Sequence, residues 1–199
     1  AKLLPPAPLN DGRSIVIYGT SITQGGCASR PGMSYTNILS RILNMEVVNL
    51  GFSGNGKGEP ELARLICQIR DKRMLVLDYE ANGISTPISQ TLEIFIDIIR
   101  NAEPKLPILL ISKIRYAREY EKAEFLDNSI ERRDFQRNVV EKRQAAGDQY
   151  IYFLDGSELF DIREAHEYTV DGAHPSDLGC MMMAKGIYPV INKILIEVK

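Results

Sequence analysis

Two stretches of this chain, far apart in sequence, carry residue types that could act together on a substrate. The first is Gly19-Thr20-Ser21-Ile22-Thr23-Gln24-Gly25-Gly26, crowded with hydroxyls and with glycines that let backbone approach a ligand. A serine here could be a nucleophile, but a free hydroxyl attacks poorly and needs a base. Equally, Thr20, Ser21 and Thr23 could cap a helix or satisfy turn amides. The base in a serine mechanism is usually histidine, and the chain has 2. His166, in Arg163-Glu164-Ala165-His166-Glu167, is flanked by charges and reads as a solvated surface residue. His174, in Asp171-Gly172-Ala173-His174-Pro175, is different. An Asp three residues before a His, across a Gly, can accept the imidazole Nδ1 proton and leave Nε2 to take one from a hydroxyl. The plainer alternative is an Asp-Gly turn followed by a proline at a helix start.

Two further loops offer hydrogen-bond donors. Asn49-Leu50-Gly51-Phe52-Ser53-Gly54-Asn55-Gly56-Lys57-Gly58 leaves backbone N–H groups free to face an oxyanion or a phosphate, unless it is only a flexible turn. Asp78-Tyr79-Glu80-Ala81-Asn82-Gly83 offers the Asn82 side-chain amide, although Asn-Gly is also a turn signal without chemistry. Asp78 and Glu80 could be a carboxylate pair, but strand alternation would place both on one face beside the sheet, in a minor structural role.

These loops must be held by something regular. Short runs rich in Val, Ile, Leu or Tyr occupy residues 14–18, 46–50, 74–79, 108–112 and 150–154, with little polar alternation. Strands buried on both faces of a parallel sheet have this pattern. Helical spacing lies between them, at Tyr35-Ile38-Leu39-Ile42-Leu43, at Leu62-Leu65-Ile66-Ile69 and at Leu92-Phe95-Ile96-Ile99. The charged segment 118–146 reads as a helix broken near Asp127-Asn128, and a last helix covers about 175–195. Alternation of five strands with helices predicts a three-layer α/β/α sandwich on a parallel sheet, because parallel neighbours need crossovers. Ligands then bind beyond the carboxyl ends of the strands, where strand order reverses. The candidate loops all follow predicted strands or precede the last helix.

Composition narrows the classes of function. At 199 residues the chain fits one domain, with residues 1–13 a Pro-rich lead-in (Pro5, Pro6, Pro8) and 14–199 the folded unit. Hydrophobic residues at 44% and charged residues at 25% exclude a disordered or fibrous chain. Lys+Arg 24 against Asp+Glu 26 gives no basic patch for nucleic acid or an anionic membrane. No apolar stretch is long enough for a membrane span. Cys27, Cys67 and Cys180 are too few and scattered for a disulfide framework, and no CxxC pair suggests zinc.

In this order, the four pieces resemble the SGNH (GDSL-type) hydrolase family, over roughly residues 14–195. Gly19-Thr20-Ser21-Ile22 matches its first block, Asn49-x-x-x-Ser53-Gly54 the second, Ala81-Asn82-Gly83 the third and Asp171-Gly172-Ala173-His174 the last. The resemblance implies a flavodoxin-like arrangement of the sheet and a triad with Ser21 as nucleophile, His174 as base and Asp171 as its partner. It also implies an oxyanion hole from the Ser21 and Gly54 amides and the Asn82 side chain, with no metal or cofactor. Thr20 stands where the family has the Asp of Gly-Asp-Ser, and that Asp is not the triad acid. Glu80-Ala81-Asn82 departs from the usual Gly-x-Asn-Asp and puts the shape of the third loop in question. Thr23 replaces the second glycine of Gly-x-Ser-x-Gly, which argues against the larger α/β-hydrolase family.

The resemblance and the short loops predict hydrolysis of small acyl esters, acetyl above all, on a small molecule or carbohydrate, and an exported protein. Three rivals stand beside this reading. Thr20, Ser21 and Thr23 could cradle the phosphate of FMN as in a flavodoxin, with Tyr79 or Tyr116 stacking on the flavin, but that leaves Asp171 and His174 unused. The same triad could serve an acyltransferase, or the site could belong to a carbohydrate-binding module without activity.

Overall fold

The computed structural model describes residues 3–83, 87–120, 123–161 and 164–198. Five parallel strands, β1 (Ser14–Gly19), β2 (Val47–Gly51), β3 (Lys72–Asp78), β4 (Ile108–Ile111) and β5 (Ile151–Leu154), form one sheet in the order β2-β1-β3-β4-β5. All five predicted apolar runs are strands. Two of them are less buried than their composition suggests. β1, β3 and β4 are buried almost throughout, whereas β2 and β5 are half-exposed, because they are the sheet's edges and lack a neighbour on one side.

Side chains alternate along each central strand and so build two cores. Ile15, Ile17, Met74, Val76, Leu109 and Ile111 face one layer of helices. That layer holds α2 (Tyr35–Leu43) and α7 (Asp177–Glu197), which contribute Ile38, Leu39, Met183 and Ile187. Val16, Tyr18, Leu75, Leu77, Ile108 and Leu110 face the other. There α3 (Pro60–Gln68), α4 (Ile88–Ala102) and α5 (Ala123–Ala145) supply Ile66, Leu92, Phe95 and Val139. The result is the expected three-layer α/β/α sandwich.

Helix α5 runs without the break expected near Asp127-Asn128. Its sequence holds no Gly or Pro, and Asp and Asn cost a helix only a few tenths of a kcal/mol each. Residues 121 and 122, inside the predicted helix, and 1 and 2 of the lead-in lie outside the described residues, as does Arg163 beside His166. The described part of the lead-in has no helix or strand. Asn10 anchors it, donating from its side chain to the Leu43 carbonyl at 2.8 Å and from its backbone to the Asn44 carbonyl at 2.8 Å. Among the described residues no helix is long and apolar enough to cross a membrane.

The order β2-β1-β3 puts the reversal of chain direction across the sheet between β1 and β3. The segments leaving these two strands are Thr20-Ser21 and Tyr79-Glu80, with the β2 exit beside them.

Candidate active site

Ser21 opens a single helical turn, α1 (Ser21–Gln24), at the carboxyl end of β1. Thr20 caps it, its Oγ1 accepting from the Ile22 N–H at 3.3 Å. Thr23 is buried and donates its hydroxyl to Asp78 Oδ2 at 3.1 Å. Capping therefore describes Thr20 alone; Thr23 instead ties the turn to the end of β3, and the Ser21 hydroxyl is directed elsewhere. Its Oγ lies 2.8 Å from His174 Nε2.

His174 is held by a loop pinned at both sides. The Val170 N–H donates to the His174 carbonyl at 2.8 Å, and the Ser176 N–H to the Tyr168 carbonyl at 2.9 Å. Ala117 N–H reaches the Gly172 carbonyl at 2.9 Å from the segment after β4. Within the loop Asp171 folds back as expected. Its Oδ1 accepts from the Ala173 and His174 N–H groups at 3.0 and 2.7 Å, and its Oδ2 lies 2.7 Å from His174 Nδ1. Partial burial works against the charged form of Asp171. The His174 N–H, the imidazole and the Ala173 N–H outweigh it and hold the carboxyl down at about 2. Asp171 is therefore ionised at every ordinary pH and serves the imidazole as a pure acceptor. His166 is exposed on the four-residue helix α6 (Ala165–Tyr168).

The other two loops meet each other and α1. Phe52 N–H donates to the Gly19 carbonyl at 3.0 Å, and Ser53 N–H to Gln24 Oε1 at 3.0 Å. Gly54 sits exposed with φ +68, a left-handed conformation that glycine adopts freely. Gly56 is required by contact, since a Cβ there would lie 2.2 Å from the Gly19 carbonyl oxygen. Asn82, in the turn after β3, donates its Nδ2 to the Asn55 carbonyl and, at 3.4 Å, to that of Phe52. The structure thus joins Asn82 to the two carbonyls flanking the Gly54 loop. Asn49 completes the scaffold, donating to the Thr23 carbonyl and to Thr36 Oγ1 at 2.8 Å each while its Oδ1 accepts from Gly51 N–H at 2.9 Å.

Asp78 and Glu80 do not share a face, contrary to the expectation from strand alternation. β3 ends at Asp78, and the following 3₁₀ turn swings Glu80 to the opposite layer. Asp78 bonds to Tyr35 of α2, while Glu80 Oε2 accepts from Lys113 N–H and from Gln136 Nε2 of α5, each at 2.7 Å. The aromatics considered for flavin stacking are also engaged inside the protein. Tyr79 is buried against Tyr18 and Phe95, and Tyr116 lies under the Lys113 ammonium.

Sequence reasoning missed two features of the site. Cys27, just beyond the Gly25-Gly26 turn, lies beside Asp171 and His174. Ser29 then fastens this segment to the start of α7, its N–H and Oγ donating to Asp177 at 2.8 and 2.6 Å. Next to α1, a shallow cavity of about 510 Å³ is lined by Gln24, Ser29, Arg30 and Ser53 among others. A cavity of about 560 Å³ between Arg13, Lys72 and Glu103 lies at the opposite ends of the strands, away from Ser21.

A serine, histidine and aspartate in hydrogen-bond sequence at the switch point of a parallel five-stranded sheet define the architecture of an SGNH-type hydrolase. The chain belongs to the GDSL-like lipase/acylhydrolase family, whose model matches residues 12–192. A GDSL-like lipase from Bacteroides ovatus is 34% identical, with a TM-score of 0.85 over 98% of this chain and 56% of that one. A salicylyl-acyltransferase from a tetracycline biosynthetic pathway is 22% identical, with a TM-score of 0.79 over 92% of this chain and 55% of its own. A carbohydrate acetylesterase family member from Sinorhizobium meliloti is 16% identical, with a TM-score of 0.68 over 92% of this chain and 99% of that one. The chain thus spans little more than half the length of the first two structures. No curated protein matches it in sequence.

Proposed function

We propose that the protein is a serine esterase that hydrolyses small acyl esters, acetyl foremost, on a carbohydrate. The observation that carries the reading is the relay from Ser21 Oγ to His174 Nε2 at 2.8 Å and from His174 Nδ1 to Asp171 Oδ2 at 2.7 Å. Asp171, as a carboxylate, fixes the Nδ1–H tautomer and leaves Nε2 as acceptor for the serine proton. Ser21 attacks the ester carbonyl as His174 takes that proton. The oxyanion is met by the N–H groups of Ser21 and Gly54 and by the Asn82 amide, which turns towards it from the loop carbonyls. His174 then returns the proton to the leaving alkoxide, and the cycle repeats with water as nucleophile.

Two observations favour hydrolysis of small, polar esters. The side chains of His174 and Asp171 are 33% and 50% exposed, so water can reach an acyl-enzyme directly. The cavity beside α1 is lined by Gln24, Ser29, Arg30 and Ser53 together with Gly25, Gly26, Ala28 and Pro31, a shallow mixed surface whose polar groups suit sugar hydroxyls. Family membership supports acyl-ester chemistry, and the likeness to the acetylesterase family member is consistent with the acetyl group.

Hydrolysis of p-nitrophenyl esters of increasing chain length, beside the Ser21→Ala variant, tests this reading. The expected result is turnover that is highest on acetate, falls with acyl length and vanishes in the variant. Higher turnover on long acyl chains would overturn the substrate, and undiminished turnover in Ser21→Ala would overturn the mechanism.

A further inference from the structure

Cys27 comes to the triad by a route the sequence hides. The turn at Gly25-Gly26 reverses the chain after α1, with Gly26 N–H donating back to the Ser21 carbonyl at 2.9 Å. The Ser29–Asp177 pair then holds the segment against the start of α7, three residues beyond His174. The consequence is a cluster of three donors: Cys27 Sγ, a carboxylate oxygen of Asp171 and a ring nitrogen of His174 all lie within 4.8 Å of one another.

We infer that Cys27, Asp171 and His174 form a binding site for zinc or a similar thiophilic divalent cation, and that its occupation switches the triad off. This inference rests on the serine-esterase reading for its effect on activity, but not for the binding itself. Sulfur, nitrogen and carboxylate oxygen are the donor types of tetrahedral zinc. With bonds of about 2.0–2.3 Å, tetrahedral ligand atoms sit roughly 3.3–3.8 Å apart, so the cluster needs shifts of about an ångström to close on the ion. Three protein ligands leave a fourth position for water. A thiolate in the set disfavours magnesium and calcium, which take oxygen ligands.

The three groups lie within reach of an ion arriving from solvent. Asp171 is exposed, and Cys27 and His174 are half-buried rather than sealed in the core. On binding, Cys27 releases its thiol proton to solvent and the thiolate takes the metal. Coordination through His174 Nδ1 breaks the bond to Asp171 and leaves the proton on Nε2, which then cannot accept one from Ser21. Coordination through Nε2 displaces Ser21 itself. Either geometry removes the base.

Cobalt(II) replaces zinc in such sites and reports a thiolate ligand by a sulfur-to-metal charge-transfer band. Titration of the protein and of its Ser21→Ala variant with cobalt chloride should produce the band in both, and Cys27→Ser should abolish it. In parallel, zinc chloride should inhibit ester hydrolysis reversibly, with activity restored by EDTA, and magnesium should not. Cys27→Ser should retain basal turnover while its inhibition constant for zinc rises roughly 100-fold or more, since even outer-shell partners are worth about 10- to 100-fold in affinity. Absence of the band in the unsubstituted protein, or a band surviving in Cys27→Ser, would overturn the site. Equal zinc inhibition of both proteins would overturn the switch. Undiminished turnover in Ser21→Ala would instead contradict the esterase mechanism, and the cobalt titration would still decide whether the site exists.

Discussion

Tyr35 donates its hydroxyl to Asp78 Oδ2 across 2.7 Å, with both side chains buried beneath the turn that carries Ser21. Thr23, two residues after Ser21, reaches the same oxygen at 3.1 Å and approaches the Tyr35 hydroxyl at 3.2 Å. The Ser21 turn therefore stands on a polar post at the end of β3 and the start of α2. Buried hydrogen-bonded groups of this kind hold geometry strictly, because a partner lost here is not replaced by water.

Burial dominates the ionisation of Asp78 and pushes its carboxyl up to about 7. The Tyr35 and Thr23 hydrogen bonds oppose the rise, and the charge of Glu80 adds to it. An unfolded Asp titrates near 3.9. The folded protein thus binds more protons than the unfolded one between about pH 4 and 7, and the stability contributed by protonated Asp78 is lost as pH rises through that window. Asp78→Asn cannot ionise and should lose less. Thermal midpoints of both proteins from pH 4 to 8 should diverge in favour of the variant as pH rises. Parallel curves would mean that Asp78 does not titrate there.

Asp171 differs from Asp78 in every respect that matters for chemistry. It is exposed, ionised and aimed at an imidazole. Asp171→Asn keeps the shape but can present N–H to Nδ1, which favours the tautomer with its proton on Nε2. Turnover should fall by roughly 10⁴-fold, while folding at neutral pH changes little. Measurement of kcat on p-nitrophenyl acetate, with circular dichroism as the control, checks this. A variant within tenfold of the parent would remove Asp171 from the relay.

Asn82 ties the third loop to the second through the Phe52 and Asn55 carbonyls. As an oxyanion donor it should be worth about 100- to 1,000-fold in kcat, and Asn82→Ala should show that loss. Freed loop carbonyls should raise KM as well. If kcat stayed within a few-fold of the parent, the amide would be a loop tie alone.

Much of this architecture was legible in the sequence, for identifiable reasons. The central strands announce themselves because Ile15-Val16-Ile17 and Leu75-Val76-Leu77 must be apolar on both faces. Asp171 and His174 were legible because their pairing is local, three residues apart. Contacts between distant segments were not. Nothing near Cys27 or Tyr35 in the sequence says that folding brings them to residues 171–174 and 78. Strand alternation failed for Glu80 because the strand had already ended at Asp78. The break assigned to α5 failed because Asp and Asn weaken a helix without ending it. The edge character of β2 and β5 depends on strand order, which composition does not encode.

The central claim is that Ser21, and no other hydroxyl, is the activated nucleophile. Treatment with a fluorophosphonate, followed by peptide mass mapping, tests it without a natural substrate. Because His174 Nε2 lies 2.8 Å from Ser21 Oγ, the reagent should modify the Ser21 peptide stoichiometrically and abolish turnover in proportion. His174→Ala should suppress the labelling. Labelling elsewhere with Ser21 intact, or labelling that is indifferent to His174, would contradict the account.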